Sequence, residues 1–262
     1  MGGFGLLFSD FSVSFMWVGS GVLIKMFVYN FLGFGHEPLG EVIRCSLSIL
    51  NMFFFAFLYN ITRGGSYNPL TVLASAISGD FRKFLFTVGA RIPAQYNDWD
   101  MLLLELSTPC SGNSSVFKSL NTKVVGSITG VWLIIEIFPD IGLGPRLKVD
   151  IHRGALTEGL LTFVIVTISL GLARKIPGSF VMKTWISSVS KLTLHILGSD
   201  LTGGCMNPAS VMGWAYARGD HITKEHILVY WLAPIEATLL AVWTFRLIFP
   251  QKEEKVNKTK SE

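Results

Sequence analysis

The chain has 262 residues, of which 50% are hydrophobic and only 15% are charged, whereas soluble globular domains are about 25% charged. This composition excludes an ordinary soluble domain and predicts a protein that crosses a membrane several times. The formal net charge is +4, but the chain lacks a Lys/Arg cluster of the kind that binds nucleic acid. Three cysteines are too few for a disulfide framework. No motif indicates an enzyme, a cofactor or a metal site.

Five apolar segments are each long enough to cross the hydrocarbon core of a bilayer, which takes about 20 residues of helix. A sixth segment is interrupted and is treated below. Six spans place both termini on one side of the membrane, and Arg63, Arg174 and the lysines of the tail fall on that side. The positive-inside rule therefore predicts cytosolic termini. The five uninterrupted segments are residues 11–34, 41–59, 153–173, 180–197 and 225–249.

An acidic residue, Asp10, stands directly before the first span and is followed four residues later by Ser14. Glu158 and Thr162 repeat this spacing in the second half of the chain. A carboxylate inside a membrane span is costly and is expected to be paired or hydrogen-bonded. We therefore expect each carboxylate to accept backbone N–H groups from a re-entrant loop in its own half. The alternative for Asp10 is an exposed acid at the membrane edge.

A motif that begins with Gly-Gly and continues into Asn-Pro follows the second span, at residues 64–71, and returns at residues 203–210. In each copy the glycines allow a sharp turn, the asparagine can cap a helix and the proline suits the first helical position. The apolar stretch after each proline is only about half as long as a membrane span. Each copy therefore predicts a re-entrant half-helix.

Matching breaks in the two halves of a membrane protein are the best sequence indication of a transport site. Non-helical backbone at membrane depth is tolerated only inside protein or beside a cavity. Two half-helices that enter from opposite faces would bring Asn68 and Asn207 tip to tip near the middle of the membrane. A single Asn-Pro pair would be ordinary loop punctuation, but two copies in matched contexts favour a site.

The third span is interrupted between two apolar fragments, which end at Gln95 and resume at Val124. A fragment of about 12 residues rises roughly 18 Å, against about 30 Å of hydrocarbon, so neither fragment spans alone. Joining Gln95 directly to Val124 restores one continuous apolar run. We interpret residues 96–123 as an insert that arises from a retained intron, a gene-model error or a true isoform. The alternative is an ordinary extramembrane loop.

These features resemble the aquaporins of the major intrinsic protein family, and in particular the plant small basic intrinsic proteins with Asn-Pro-Leu in the first motif. The resemblance covers the chain from about Phe11 to Phe249, apart from the insert. It implies an all-α membrane protein with six transmembrane helices, two re-entrant half-helices and an inverted repeat, forming one channel domain over residues 1–250. It also implies a homotetramer. The signature triplets fall on Asn68, Pro69 and Leu70, and on Asn207, Pro208 and Ala209.

The resemblance further implies a second constriction, which aquaporins build from aromatic and arginine residues. Position by position, it falls here on Ser48, His195, Gly204 and Ser210. Most members carry arginine where Ser210 stands, and an arginine there narrows the pore and repels protons and cations. We therefore expect a wider and less cationic constriction, to which the half-helix dipoles and His195 contribute positive potential. The alternative for His195 is a buried, hydrogen-bonded residue without contact to the pore.

The sequence thus predicts a passive channel for water or small neutral solutes, in which both asparagine amides donate to the permeant oxygen. Two alternatives remain open. A facilitator of a larger neutral solute, such as glycerol, urea or peroxide, is suggested by the small residues Ser48 and Ser210. A non-conducting membrane scaffold is suggested by the interruption of the third helix.

Residues 251–262 are polar and charged and predict a disordered tail. Lys258 and Lys260 stand fifth and third from the C-terminus, which is the spacing of the dilysine signal that coat proteins read when they return membrane proteins to the endoplasmic reticulum. Such signals are receptor-read addresses and not anchors. The tail therefore predicts a multi-pass protein of the endoplasmic reticulum membrane, with coat-protein machinery as a partner. The alternative is a solvated basic tail.

Overall fold

The computed structural model describes residues 3–79, 114–142, 144–175 and 179–249, and these ranges contain α-helices and no strand. Two π-helical segments occur in them: Phe27–Phe31 continues the first helix, and Leu228–Leu232 joins the last two. A short 3-10 turn covers Pro139–Ile141. The α-helices are α1 (Gly3–Met26), α2 (Pro38–Ile61), α3 (Pro69–Gly79), α4 (Ser114–Ile137), α5 (Ile151–Lys175), α6 (Phe180–Gly198), α7 (Pro208–Arg218), α8 (Lys224–Ile227) and α9 (Ala233–Ile248).

Helix lengths divide these elements into membrane spans and half-helices. In the described part of the chain, five helical segments are long and apolar enough to cross a membrane. Helix α6 is a sixth long helix of 19 residues, or about 28 Å, and it is less apolar because it carries Lys183 and Lys191. Helices α3 and α7 have only 11 residues each and cannot span. The predicted fold of six spans and two half-helices is confirmed. The five segments are residues 5–31, 38–61, 118–137, 151–174 and 224–248.

The third long helix differs from the sequence prediction. Helix α4 runs without a break from Ser114 to Ile137, so residues 114–123, which the sequence assigned to the insert, are helical. Ser119 and Lys123 in this part are only 5% and 0% exposed. The structure differs because Ser119 and Lys123 face the carboxylate of Asp10 inside the protein and not water. The remainder of the predicted insert and the apolar fragment that ends at Gln95 lie outside the described residues.

Small residues let the helices touch through their backbones. A Cβ added to Gly126 of α4 would lie 2.5 Å from the carbonyl oxygen of Phe11 in α1. A Cβ added to Gly213 of α7 would lie 2.7 Å from the carbonyl oxygen of Ser127 in α4. Close backbone approach at small residues is how helices associate within a bilayer, where no hydrophobic force drives them together. The first contact packs α4 against α1, and the second packs the second half-helix, α7, against α4.

Both half-helices lie inside the helical bundle. Leu70, Leu73 and Ile77 of α3 are buried against Val242 of α9. In α7, residues 208–215 are all buried except Ser210. Two short helices are therefore enclosed by long ones, which is the condition under which non-helical backbone is tolerated at membrane depth.

Candidate functional site

Glu158 of α5 holds the second re-entrant loop in place. Its side chain is 1% exposed, and its carboxylate accepts the backbone N–H groups of Cys205 and Met206, each at 2.9 Å. The Thr202 hydroxyl donates a third hydrogen bond at 2.6 Å. Met206 has a φ of 48°, which is uncommon for a residue other than glycine. The carboxylate therefore receives the donors that a buried charge requires and fixes a strained turn.

Asp10 of α1 has the equivalent role in the first half and adds an ion pair. It is 1% exposed, and its Oδ1 accepts the backbone N–H of Ser66 in the first loop at 2.9 Å. Its Oδ2 lies 2.5 Å from Lys123 Nζ and also accepts the Ser119 hydroxyl. The exposed alternative for Asp10 is therefore excluded. Sequence reasoning missed the cation, because Lys123 belonged to the residues interpreted as an insert.

The two asparagines cap their half-helices and bring the two loops into contact. Asn68 Oδ1 accepts the N–H of Leu70 at 3.0 Å, and Asn207 Oδ1 accepts the N–H of Ser210 at 3.5 Å. Asn68 Nδ2 donates to the Met206 carbonyl oxygen at 2.8 Å. Asn207 is 6% exposed, and its Nδ2 has no hydrogen-bond partner in the described part of the chain. Buried polar groups are nearly always hydrogen-bonded, so a donor without a partner in the described residues is unusual at this point of the fold.

The other residues of the two triplets set the helix starts and the packing. Pro69 and Pro208 begin α3 and α7. Leu70 and Ala209 are 3% and 0% exposed. Leu70, which replaces the alanine usual in aquaporins, packs into the cluster with α9. Within each triplet, the asparagine is the residue that presents polar groups to the meeting point of the loops.

The structure brings together two of the four residues predicted for the second constriction. His195 Nδ1 lies 3.1 Å from the Gly204 carbonyl oxygen. Gly204 has a φ of +53°, and a Cβ there would lie 2.5 Å from the His195 carbonyl oxygen, so only glycine fits. The Ser48 hydroxyl donates to the Arg44 carbonyl oxygen of its own helix at 2.8 Å. Among the described residues, no hydrogen bond joins Ser48 or Ser210 to His195.

A second cluster, beside Asn68, was not found from the sequence. The Tyr67 ring stacks on Trp17, with centroids 3.8 Å apart and an interplanar angle of 4°. Lys191 of α6 places its Nζ 3.4 Å from the Tyr67 hydroxyl and 5.8 Å from the ring centroid. The signal available in the sequence was the four-residue spacing of Lys191 and His195, which puts both on one side of α6.

A cavity of about 280 Å³ lies beside the C-terminal end of α7, away from these residues. Arg218 is held at its wall by Asp220, at 2.8 Å, and by the Pro145 carbonyl oxygen, at 3.1 Å. No residue of the triplets or of the predicted constriction lines it. The cavity is lined by Arg146, Leu147, Arg218, Asp220, Thr223, Glu225, His226 and Tyr230.

Comparison with known proteins finds relatives that match nearly the whole chain. The chain is 54% identical over 262 residues to a protein named probable aquaporin SIP2-1 of Arabidopsis thaliana, covering 100% of this chain and 99% of the relative. It is 46% identical over 260 residues to aquaporin SIP2-1 of Zea mays, covering 97% and 93%. The aquaglyceroporin structure from Plasmodium falciparum matches with a TM-score of 0.63 over 94% of this chain and 95% of that chain, at 14% identity, and so shows the fold alone. No family model matches the sequence.

Proposed function

Since this chain belongs to the SIP aquaporins, the plant small basic intrinsic proteins, we propose that its permeant crosses the membrane between the tips of α3 and α7. The protein is a multi-pass membrane channel for water or small solutes, and it is not an enzyme. The observation that carries the proposed path is the buried Nδ2 of Asn207, which lacks a partner in the described residues where the two loops meet.

In this mechanism the asparagine amides orient the permeant. Asn207 Nδ2 donates to the oxygen of a passing molecule, and Asn68 Nδ2 has one further N–H beyond the one that it gives to Met206. The half-helices direct their N-termini, each equivalent to roughly +0.5 charge, at the same place. Cations are repelled by this potential. A water molecule held by two donors turns its own hydrogens away from them and interrupts a chain of proton transfer.

The residues at the second constriction favour small neutral solutes in addition to water. Serine stands at position 48, where water-selective aquaporins carry a bulky aromatic residue, and at position 210, where most aquaporins carry arginine. Of the four residues predicted for this constriction, His195 and Gly204 are joined by a contact of 3.1 Å in the described structure. A solute such as glycerol, urea or peroxide is therefore the second candidate permeant. The scaffold alternative rested on an interrupted third helix, and the continuous α4 removes that argument.

We also propose a homotetramer in the endoplasmic reticulum membrane, with both termini cytosolic. The support for this location is the dilysine spacing of Lys258 and Lys260, which lie outside the described residues. Arg63, after α2, and Arg174, near the end of α5, agree with the predicted orientation. Coat proteins that read dilysine tails are then the expected partners of the C-terminus.

The test is osmotic swelling of proteoliposomes, run separately with water and with glycerol. Wild-type protein is expected to raise water permeability above that of empty liposomes. Asn207→Asp keeps the shape but replaces the donor by an acid, and we expect it to reduce water flux or to admit cations. Wild-type swelling equal to that of empty liposomes would refute the channel. Unchanged swelling and unchanged ion tightness in the variant would remove Asn207 from the path.

A further inference from the structure

The inner side of α6 carries a lysine that the mechanism above does not use. Trp185, Val189 and Ile196 are 54%, 37% and 48% exposed and form the outer, apolar face of this helix. At about 100° per residue, Lys191 lies on roughly the opposite side, near the buried Ser188. Lys191 is itself half-buried. Its side chain therefore extends into the bundle and not toward lipid.

The contacts of Lys191 place its ammonium between the two predicted narrow points. Nζ lies 3.4 Å from the hydroxyl of Tyr67, the residue directly before Asn68, and 5.8 Å from its ring centroid, within the range of a cation–π interaction. Tyr67 is itself fixed by stacking on Trp17. One helical turn farther along α6, His195 contacts Gly204. The lysine thus stands between the His195–Gly204 contact and the loop tip that carries Asn68.

The charge of Lys191 is not neutralised by a carboxylate in the described ranges, whose ion pairs involve other cations. Asp10 and Glu158 are engaged with their own loops. An ionised group buried without a partner is very costly, and charged residues within membrane proteins face the bundle interior or a water-filled cavity. An ammonium that contacts Tyr67 but no carboxylate of the described residues therefore indicates an adjacent path that holds water.

We propose that Lys191 is a specificity-determining residue of this channel, whose fixed positive charge excludes cations from the pore. It supplies, from α6, the charge that Ser210 does not supply from α7. The proposal rests on the proposed function, because it needs the path past Asn68 and Asn207. It also explains how a wide constriction lined by serine remains closed to ions.

The conductance test compares wild type with Lys191→Met, Lys191→Arg and Lys224→Met in proteoliposomes. Water flux is followed by swelling, and potassium flux by a voltage-sensitive dye in potassium-loaded vesicles. We expect Lys191→Met to keep water flux and to raise potassium leak by about tenfold or more, since a unit charge at short range dominates ion entry. Lys191→Arg keeps the charge and stays ion-tight. Lys224→Met changes an exposed lysine at the start of α8 and matches wild type.

A leak in Lys191→Met equal to that of wild type, with normal water flux, overturns the proposal. A second measurement does not depend on conduction. In a chain with Cys45, Cys110 and Cys205 changed to serine, Lys191→Cys is treated with a membrane-impermeant, water-soluble thiosulfonate. Labelling would place position 191 beside water whether or not the channel conducts. If proteoliposomes with the wild-type protein do not swell but the cysteine is labelled, the proposed function is refuted and the position of Lys191 is not. Absence of labelling in folded protein overturns the role of Lys191.

Discussion

The buried pair of Asp10 and Lys123 offers the sharpest test of how the third long helix is built. Lys123 is 0% exposed, and its Nζ lies 2.5 Å from Asp10 and 2.6 Å from the Ser119 hydroxyl. Lys123→Met keeps most of the side-chain volume but leaves the Asp10 carboxylate without its cation. Removing one partner of a buried ion pair costs about 3–5 kcal/mol. At roughly 2–4 °C per kcal/mol for a chain of this size, the Tm should fall by roughly 6–20 °C.

A double-mutant cycle separates the pair from its surroundings. In Asp10→Asn/Lys123→Met both charges are gone. The asparagine keeps an oxygen that can accept the Ser66 N–H, which in the wild-type protein donates to Asp10 at 2.9 Å. Replacing a whole buried ion pair by neutral groups is often close to neutral, so we expect the double variant to lie near wild type. Lys118→Met, a half-buried lysine earlier on α4, controls for loss of a lysine from this helix and should change the free energy of unfolding by about 1 kcal/mol or less.

The assay is thermal unfolding of the purified, detergent-solubilised protein, followed by the fraction that stays monodisperse after heating. Lys123→Met with an unchanged Tm would show that residues 114–123 do not pack against α1. That result would also support the sequence prediction that residues 96–123 are an insert. An equal loss in the single and double variants would locate the effect in the shape of Lys123 and not in its charge.

Three further outcomes follow from the structure. His195→Ala should raise glycerol flux relative to water flux in swelling assays, and identical ratios would remove His195 from the pore wall. Gly204→Ala should destabilise the protein by more than about 2 kcal/mol, because φ is positive there and the added Cβ would lie 2.5 Å from the His195 carbonyl oxygen. Gly219→Ala is the control, since Gly219 also has a positive φ but an added Cβ would meet nothing within 4 Å. A smaller fall in the Tm of Gly219→Ala would assign the difference to the steric clash at Gly204. A Lys258→Ser/Lys260→Ser variant, tagged at the N-terminus and imaged in cells, should leave the endoplasmic reticulum in part, and an unaltered distribution would reject the tail as the address.

The half-helices could be predicted from the sequence because their determinants are local. A glycine pair, a capping asparagine and a proline at the first helical position act over a few residues, and α3 and α7 begin at Pro69 and Pro208 as these rules require. The bracing acids could be predicted for a related reason. A carboxylate inside a membrane must find donors, and non-helical loops are where backbone donors are unpaired.

Only the tertiary structure decided which distant groups meet. Lys123 and Ser119 are polar residue types that would suit a solvated loop as well as a buried helix. Their burial is favourable because they contact Asp10, which is more than a hundred residues away in the sequence. Lys191 and Tyr67 stand 124 positions apart, and the sequence places each on its own helix or loop without relating them. From the sequence alone, a polar residue is known to need a hydrogen-bonding or charged partner. Whether that partner is water, a carboxylate or an aromatic ring depends on how the helices pack.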